Sequence, residues 1–344
     1  MFMSNQTQKP PDMLAGDGQA DNLSAGDLAV LSIAVLIPCY NEEIAIATVV
    51  SDFRAALPSA KVWVYDNNSI DQTVAKARAA GAEIGRENRQ GKGHVVRRMF
   101  ADVDADIYVL VDGDDTYHAS SVGKLISTLV TNQLDMVNGA RVTNIAKAYR
   151  PGHRFGNWML TGLMASVFGR EITDMLSGYR VLSRRFVKSF PALSDGFEIE
   201  TELTVHALEL RMAVAEIMTP YKDRPEGSVS KLNTIRDGIR ILQTIISLVK
   251  EERPLKFFIT ASAIFALISL ILATPLFGTF LETGTVPRLP TAVLSMGLMV
   301  LASLSAVCGL LLDSVSRSRR EAKRMFFLGM PAVQKPSKRS SCSN

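Results

Sequence analysis

The stretch "VLIPCYNEE", residues 35–43, decides the fold. An apolar run over 33–37 reads as a strand, it breaks into a polar turn, and a helical pattern follows near 42–56. Working outward, the same alternation repeats. A strand over 62–65 precedes a helix near 71–80, a short strand over 82–84 precedes a helix over 92–101, and a strand over 107–111 precedes a helix near 120–131. Another strand starts at Met136 and Val137. Strands alternating with helices predict an α/β fold whose sheet is mostly parallel and covered on both faces. Ligands on such sheets bind at the carboxyl ends of the strands, so the residues just after each strand carry the information.

Three of those turns carry carboxylates. The first reads Pro38-Cys39-Tyr40-Asn41-Glu42-Glu43, the second Asp66-Asn67-Asn68-Ser69-Ile70-Asp71, and the one after 107–111 reads Asp112-Gly113-Asp114-Asp115. Singly, each is an Asx turn or a helix cap, and for Asp71 the cap is the better reading. On adjacent strand ends they converge on one ligand. The three carboxylates of residues 112–115 repel one another unless a cation neutralises them. Their hard oxygens suit magnesium or manganese, ions often shared with substrate phosphates. No Gly-x-Gly-x-x-Gly follows the first strand. Gly91-Lys92 is no Walker motif, because Arg86 stands where a glycine is required and Gly93 where a Ser or Thr would hold magnesium.

The second half of the chain turns apolar. Neither 257–277 nor 289–312 contains a charged residue, and each exceeds the ~20 residues that cross a bilayer as a helix. Between them Arg288 is the only basic residue, whereas Lys250, Arg253 and Lys256 precede the first span and Arg317, Arg319, Arg320, Lys323 and Arg324 follow the second. The positive-inside bias puts both termini and the large N-terminal body in the cytoplasm. Over 233–256, Ile235, Ile239, Leu242, Ile246 and Val249 recur at helical spacing, predicting an amphipathic helix packed on the protein's own core or lying in the membrane interface. Residues 1–30 read as a disordered tail without a signal-peptide pattern, and 313–344 as a basic cytoplasmic tail. A net charge of +4 across 344 residues, with no nucleic-acid motif, argues against a nucleic-acid partner. Cys39, Cys308 and Cys342 show neither metal spacing nor a disulfide framework.

The series "VLIPCYNEE", "VYDNNSIDQT", "GKG" and "VLVDGDDTY", continued by "NGAR" (138–141), "DMLSGYR" (174–180), "FEIETEL" (197–203) and "RPEGSVSKL" (224–232), resembles family 2 glycosyltransferases of the GT-A fold. The later motifs are similar to dolichol-phosphate mannose synthases and bacterial polyprenyl-phosphate glycosyltransferases, some of which carry two C-terminal spans. The resemblance covers about residues 32–315. It implies a GT-A catalytic domain over 31–232 that transfers sugar from a nucleotide-sugar to polyprenyl (undecaprenyl) phosphate, in cell-envelope glycan assembly at the inner membrane. Pro38, Tyr40, Glu42, Asp66, Lys92, Asp112, Gly113 and Asp114 would bind the nucleotide-sugar. Asp112 and Asp114 would hold Mg2+ or Mn2+, with Thr116 where mannose synthases carry a Gln. Arg141, Arg154, Arg180, Arg224 and Lys231 would hold the acceptor phosphate or the donor, and guanidinium groups do grip phosphate with two bonds. The resemblance also implies a homo-oligomer built through the membrane and juxtamembrane helices.

The expected chemistry is displacement at the anomeric carbon with inversion. The lipid phosphate is already anionic, so a strong base is less necessary than for a sugar hydroxyl; Asp174 and Glu200 are candidates to orient donor or arginines, beside Asp114. The donor is expected to be UDP-linked glucose or N-acetylhexosamine, with GDP-mannose as the alternative. Residues 155–168 form either a core helix or a guide for the polyprenyl chain. A polysaccharide synthase would carry Gln-x-x-Arg-Trp, which this chain lacks. A non-catalytic scaffold would have lost the acidic turn.

Overall fold

The computed structural model describes residues 30–142, 173–225, 227 and 254–334. Arg154, Lys231, the segment 155–168 and the amphipathic stretch 233–253 lie outside the described residues, as do 1–29 of the N-terminal tail and 335–344 of the C-terminal one. The chain divides into two compact units, Met1–Leu242 with Phe326–Asn344, and Gln243–Met325.

The first unit is built on strands β1 (Ile33–Cys39), β2 (Lys61–Asp66), β3 (Glu83–Arg86), β4 (Ile107–Leu110), β5 (Met136–Val142), β6 (Arg180–Ser183) and β7 (Val214–Pro220). They form one sheet in the order β3-β2-β1-β4-β6-β5-β7. β6 runs antiparallel to both its neighbours, β4 and β5, while every other pairing is parallel. The mostly parallel sheet expected from the alternation is therefore present, and it is mixed, as the GT-A resemblance implies. Neither β6 nor β7 was anticipated.

The helices are α1 (Ile46–Ala56), α2 (Thr73–Ala79), α3 (Lys92–Asp102), α4 (Val122–Thr131), α5 (Arg184–Ser189) and α6 (Ile199–Glu209). The strands' two-residue period explains why the sheet is covered twice. Ile33, Val35 and Ile37 of β1 join a core with Val49, Val50 and Phe53 of α1 and Leu125, Ile126 and Leu129 of α4. The intervening Ala34 and Leu36 are equally buried on the other face. There Phe100 of α3 packs edge-on against Tyr108, ring centres 6.2 Å apart. Because β6 alone runs backwards, the loop before it lies at the same sheet edge as the loops after β1, β2, β4 and β7. That topology gathers the chemistry at one edge.

The second unit holds α7 (Pro254–Thr283) and α8 (Leu289–Leu328). Both are long and apolar enough to cross a membrane, and their most apolar windows are only 6% and 17% buried. Each outruns its expected span. α7 continues past Pro275, and α8 runs on through the basic stretch expected as a tail, where Arg317 pairs with Asp313 one turn back at 3.6 Å. Ser295, Ala302, Gly309 and Ser316 recur every seven residues along α8. The Ser269 hydroxyl donates to the Ser295 carbonyl at 2.7 Å, and Ser295 returns the bond to the Ser269 carbonyl at 3.1 Å. A Cβ on Gly309 would stand 2.9 Å from Phe258 Cβ, so the helices approach through small residues.

Candidate active site

The first two turns brace each other. Asn41 adopts φ +53°. Its backbone N–H donates to Ser69 Oγ at 2.9 Å, and its side chain accepts from Ile70 N at 2.9 Å. The Glu42 N–H donates to Thr73 Oγ1 at 2.8 Å. Asp71 accepts from Thr73 N at 3.0 Å and from Glu43 N at 3.3 Å, so it works as a turn clasp rather than a ligand. Burial would raise its pKa, but the bonds from Thr73 and Glu43 outweigh that and hold it below the usual carboxylate value. Asp66 is buried and accepts from Ser69 N at 3.1 Å. Pro38 lies inside β1 opposite Tyr65, with Tyr40 partly exposed just beyond the strand.

Asn67 is a residue the sequence reading missed. It donates to the Glu87 and Arg89 carbonyls at 2.9 and 2.7 Å and accepts from Gly91 N at 2.7 Å. It thereby shapes the loop that delivers Lys92. The two glycines flanking Lys92 are steric necessities. A Cβ on Gly91, at φ +140°, would meet the Asp195 carbonyl at 2.2 Å, and one on Gly93 would meet the Ser194 carbonyl at 2.0 Å. Glu202 holds that opposing loop by accepting from Leu193 N and Ser194 N, both at 2.8 Å. Gly93→Ala should therefore push the loops apart, lowering Tm by roughly 2–4 °C for each kcal/mol lost. Differential scanning fluorimetry checks this, and an unchanged Tm would refute the close approach.

Lys92 lies between two acids. Its Nζ donates to Asp112 Oδ1 at 2.5 Å and to Glu200 Oε1 at 2.6 Å. Burial pulls the ammonium's pKa down, yet Asp112 and Glu200 more than reverse this, so Lys92 stays charged. Burial raises the pKa of Glu200 and Asp112 raises it further, only partly offset by Lys92. Asp112 has room because residue 178 is glycine: a Cβ there would sit 2.2 Å from Asp112 Oδ2. Gly113 is small for a different reason. A Cβ would come 2.6 Å from Cys39 Sγ, so this glycine seats the acidic turn on β1.

Asp114 is almost wholly buried. Oδ1 accepts from Thr116 N at 3.2 Å and from Thr116 Oγ1 at 2.6 Å, and Oδ2 pairs with Arg224 Nη2 at 2.6 Å. Burial and then the charge of Asp112 push its pKa up, against the pull of Arg224 and Thr116. Thr116 departs from expectation: it is 1% exposed and its hydroxyl is committed to Asp114, so it supports that carboxylate from behind. Asp115, at φ +59°, pairs with Lys222 at 2.6 Å.

Across the edge, Asp174 takes a two-pronged grip from Arg141, with Nε and Nη2 both at 2.8 Å. Burial raises the Asp174 pKa, but Arg141 overrides it and the group lies below its usual value. Glu216 of β7, absent from the sequence reading, fixes this loop. It accepts from Asp174 N at 3.0 Å, Thr173 N at 2.9 Å and Asn138 Nδ2 at 2.8 Å. Arg180 corrects a second expectation. It is 0% exposed and donates to the carbonyls of Ser177, Met175 and Glu200 at 3.2, 2.7 and 2.9 Å and to Thr204 Oγ1 at 2.9 Å. A guanidinium so enclosed organises the loop before β6 and does not reach a phosphate.

One sheet edge thus gathers Asp112, Asp114, Lys92, Glu200, Arg141, Asp174 and Arg224 on a doubly covered α/β sheet. The sequence profile described as glycosyl transferase family 2 matches residues 34–190. Glycosyltransferase AglJ of Haloferax volcanii is 35% identical over 233 residues, which cover 66% of this chain and 75% of that protein. The chain belongs to glycosyl transferase family 2. The dolichyl-phosphate hexose transferase of the same archaeon is 28% identical to this glycosyltransferase over 64% of the chain and 95% of its own length. Among solved structures, the glucosyl-3-phosphoglycerate synthase of Mycobacterium tuberculosis, crystallised with Mn2+, UDP and glucosyl-3-phosphoglycerate, superposes with a TM-score of 0.54 at 23% identity. That match covers 65% of this chain and 85% of that one, and it identifies the GT-A fold.

The donor chemistry of the acidic turn fits a hard divalent cation. Asp112 and Asp114 offer carboxylate oxygens on one turn, and the upward push of Asp112 on Asp114 is a repulsion that a cation relieves. Among the described residues no group of three or more His, Cys, Asp or Glu side chains is arranged to hold a metal ion, so the two aspartates are the candidate ligands on their chemistry alone.

Proposed function

We propose that this family 2 glycosyltransferase moves a sugar, with inversion, from a nucleotide-sugar to polyprenyl phosphate at the cytoplasmic membrane face. The observation that carries the lipid acceptor is the pair of apolar helices, Pro254–Thr283 and Leu289–Leu328, in the same chain as the catalytic sheet. The similarity to a dolichyl-phosphate hexose transferase supports it. The basic residues outside both spans, against the lone Arg288 between them, support the cytoplasmic orientation of the catalytic unit.

In this reading the nucleotide lies along Pro38, Tyr40, Glu42 and Asp66. Asp112 and Asp114 would hold Mg2+ or Mn2+, which when bound neutralises negative charge on the departing diphosphate. Arg141, Arg154, Arg224 and Lys231 supply positive charge to the two phosphorylated substrates. An acceptor phosphate oxygen attacks the anomeric carbon as the bond to the nucleoside diphosphate breaks. No proton need leave the nucleophile. Asp174 orients Arg141 by its two-pronged bond, and Glu200 orients Lys92 beside Asp112. UDP-glucose or a UDP-N-acetylhexosamine is the expected donor and GDP-mannose the alternative, with the protein acting as a homo-oligomer.

The test is transfer of radiolabelled sugar from a panel of UDP- and GDP-sugars to undecaprenyl phosphate by the purified full-length protein. Labelled lipid should form from one donor and disappear on EDTA treatment. Protein that binds a nucleotide-sugar yet labels no lipid from any donor would overturn the acceptor assignment.

A further inference from the structure

Each carboxylate of the acidic turn is matched by its own cation, and none of these comes from the turn itself. Lys92 at the start of α3 meets Asp112 at 2.5 Å, Arg224 meets Asp114 at 2.6 Å, and Lys222 meets Asp115 at 2.6 Å. Lys222 and Arg224 belong to the segment that leaves β7. That segment is held over the turn by backbone and ring contacts. Tyr221 bridges to Tyr117, their rings 5.3 Å apart, and Lys222 N donates to the Thr116 carbonyl at 3.0 Å. It reaches Gly227, at φ +86°, where a Cβ would lie 3.2 Å from Ile44 Cδ1 on the β1 turn. The segment therefore crosses from the acidic turn to the nucleotide-side turn.

Asp114 is the member with least freedom. Thr116 occupies Oδ1 twice and Arg224 occupies Oδ2. Oδ2 keeps one lone pair beside the Arg224 contact, so a divalent ion bound there would sit against the guanidinium, and the two cations repel each other. We infer that Arg224 is the resident counter-cation of Asp114, and that a divalent ion enters only as Arg224 leaves the carboxylate for a substrate phosphate. The inference rests on reading Asp112 and Asp114 as the metal-binding pair. Metal and nucleotide then bind cooperatively through one arginine. By thermodynamic reciprocity, each strengthens the other by the same factor.

The experiment measures Mn2+ binding to the full-length protein by electron paramagnetic resonance, with and without UDP. In wild type, UDP should tighten Mn2+. Arg224→Gln should tighten Mn2+ about tenfold without UDP, on the scale of the roughly one to three pKa units by which a neighbouring arginine lowers a carboxylate's proton affinity. It should also shrink the gain that UDP brings. Arg224→Lys, which keeps the charge, should stay much closer to wild type than Arg224→Gln does. Lys222→Gln unpairs Asp115 instead and should stay within about twofold, as expected for a partly exposed pair. Mn2+ affinity unchanged in Arg224→Gln, or equally raised in Lys222→Gln, would overturn the exchange. Wild type that binds UDP but no Mn2+ would instead overturn the metal reading itself.

Discussion

Asp114→Asn should lower sugar transfer roughly a thousandfold while leaving the protein folded, since removing a charge-stabilising contact from a dry site costs about 3–4 kcal/mol of activation energy. Asparagine keeps the shape of the side chain and can still accept from Thr116 N and Oγ1. What it loses is the charge, and with it an anionic ligand for a divalent ion. Stability should change little, because relief of the repulsion from Asp112 is offset by loss of the Arg224 pair. Burial and Asp112 already disfavour the ionised form of Asp114, so the amide relieves a repulsion. Steady-state transfer and thermal melting of the same preparation separate the two effects. Activity within tenfold of wild type would exclude Asp114 from the chemistry, and a collapsed melting curve would mean that the residue is structural.

Arg180→Ala should have the largest effect on stability, a loss of more than about 4 kcal/mol, because one substitution combines a cavity with orphaned buried acceptors. Three carbonyls, of Met175, Ser177 and Glu200, lose their donor together, as does Thr204 Oγ1. Arg180→Lys should rescue little, since a single ammonium cannot replace a planar fork reaching several acceptors. Urea unfolding measures the loss. A stably folded Arg180→Ala enzyme with a raised KM for the lipid phosphate would return this arginine to the acceptor site.

The contrast between Asp114 and Arg180 shows how much of the site was legible. Asp112 and Asp114 follow an apolar strand in an α/β alternation, so their place at the carboxyl edge could be read from order alone. Asp71 could be read as a clasp because Asx residues habitually bond backbone two residues on. Arg180 could not be sorted. A phosphate-gripping arginine and a loop-organising arginine have the same letter and the same neighbours in a motif. Only burial and the direction of its N–H groups tell them apart. Glu216 and Asn67 were missed because each acts on a loop remote in sequence, and a lone carboxylate or amide at a strand end carries no local pattern. β6 was missed because it opens on a charged residue, Arg180, and ends on Ser183, and so lacks the wholly apolar run that marks the equally short β4.

Local order along the chain, by itself, determined the alternating strands and helices, the acidic turn, and two segments long and apolar enough to span a bilayer. These rest on hydrophobic period, turn chemistry and length, all of which act between near neighbours. The tertiary structure alone decided that β6 runs backwards and so brings Asp174 and Gly178 to the catalytic edge. It alone paired Lys92 with Asp112 and Glu200, set Arg224 on Asp114, and sealed Arg180 in the interior. The physical reason is that ion pairing and desolvation depend on distances between residues up to 110 positions apart in the sequence, as Asp114 and Arg224 are, which no local pattern encodes.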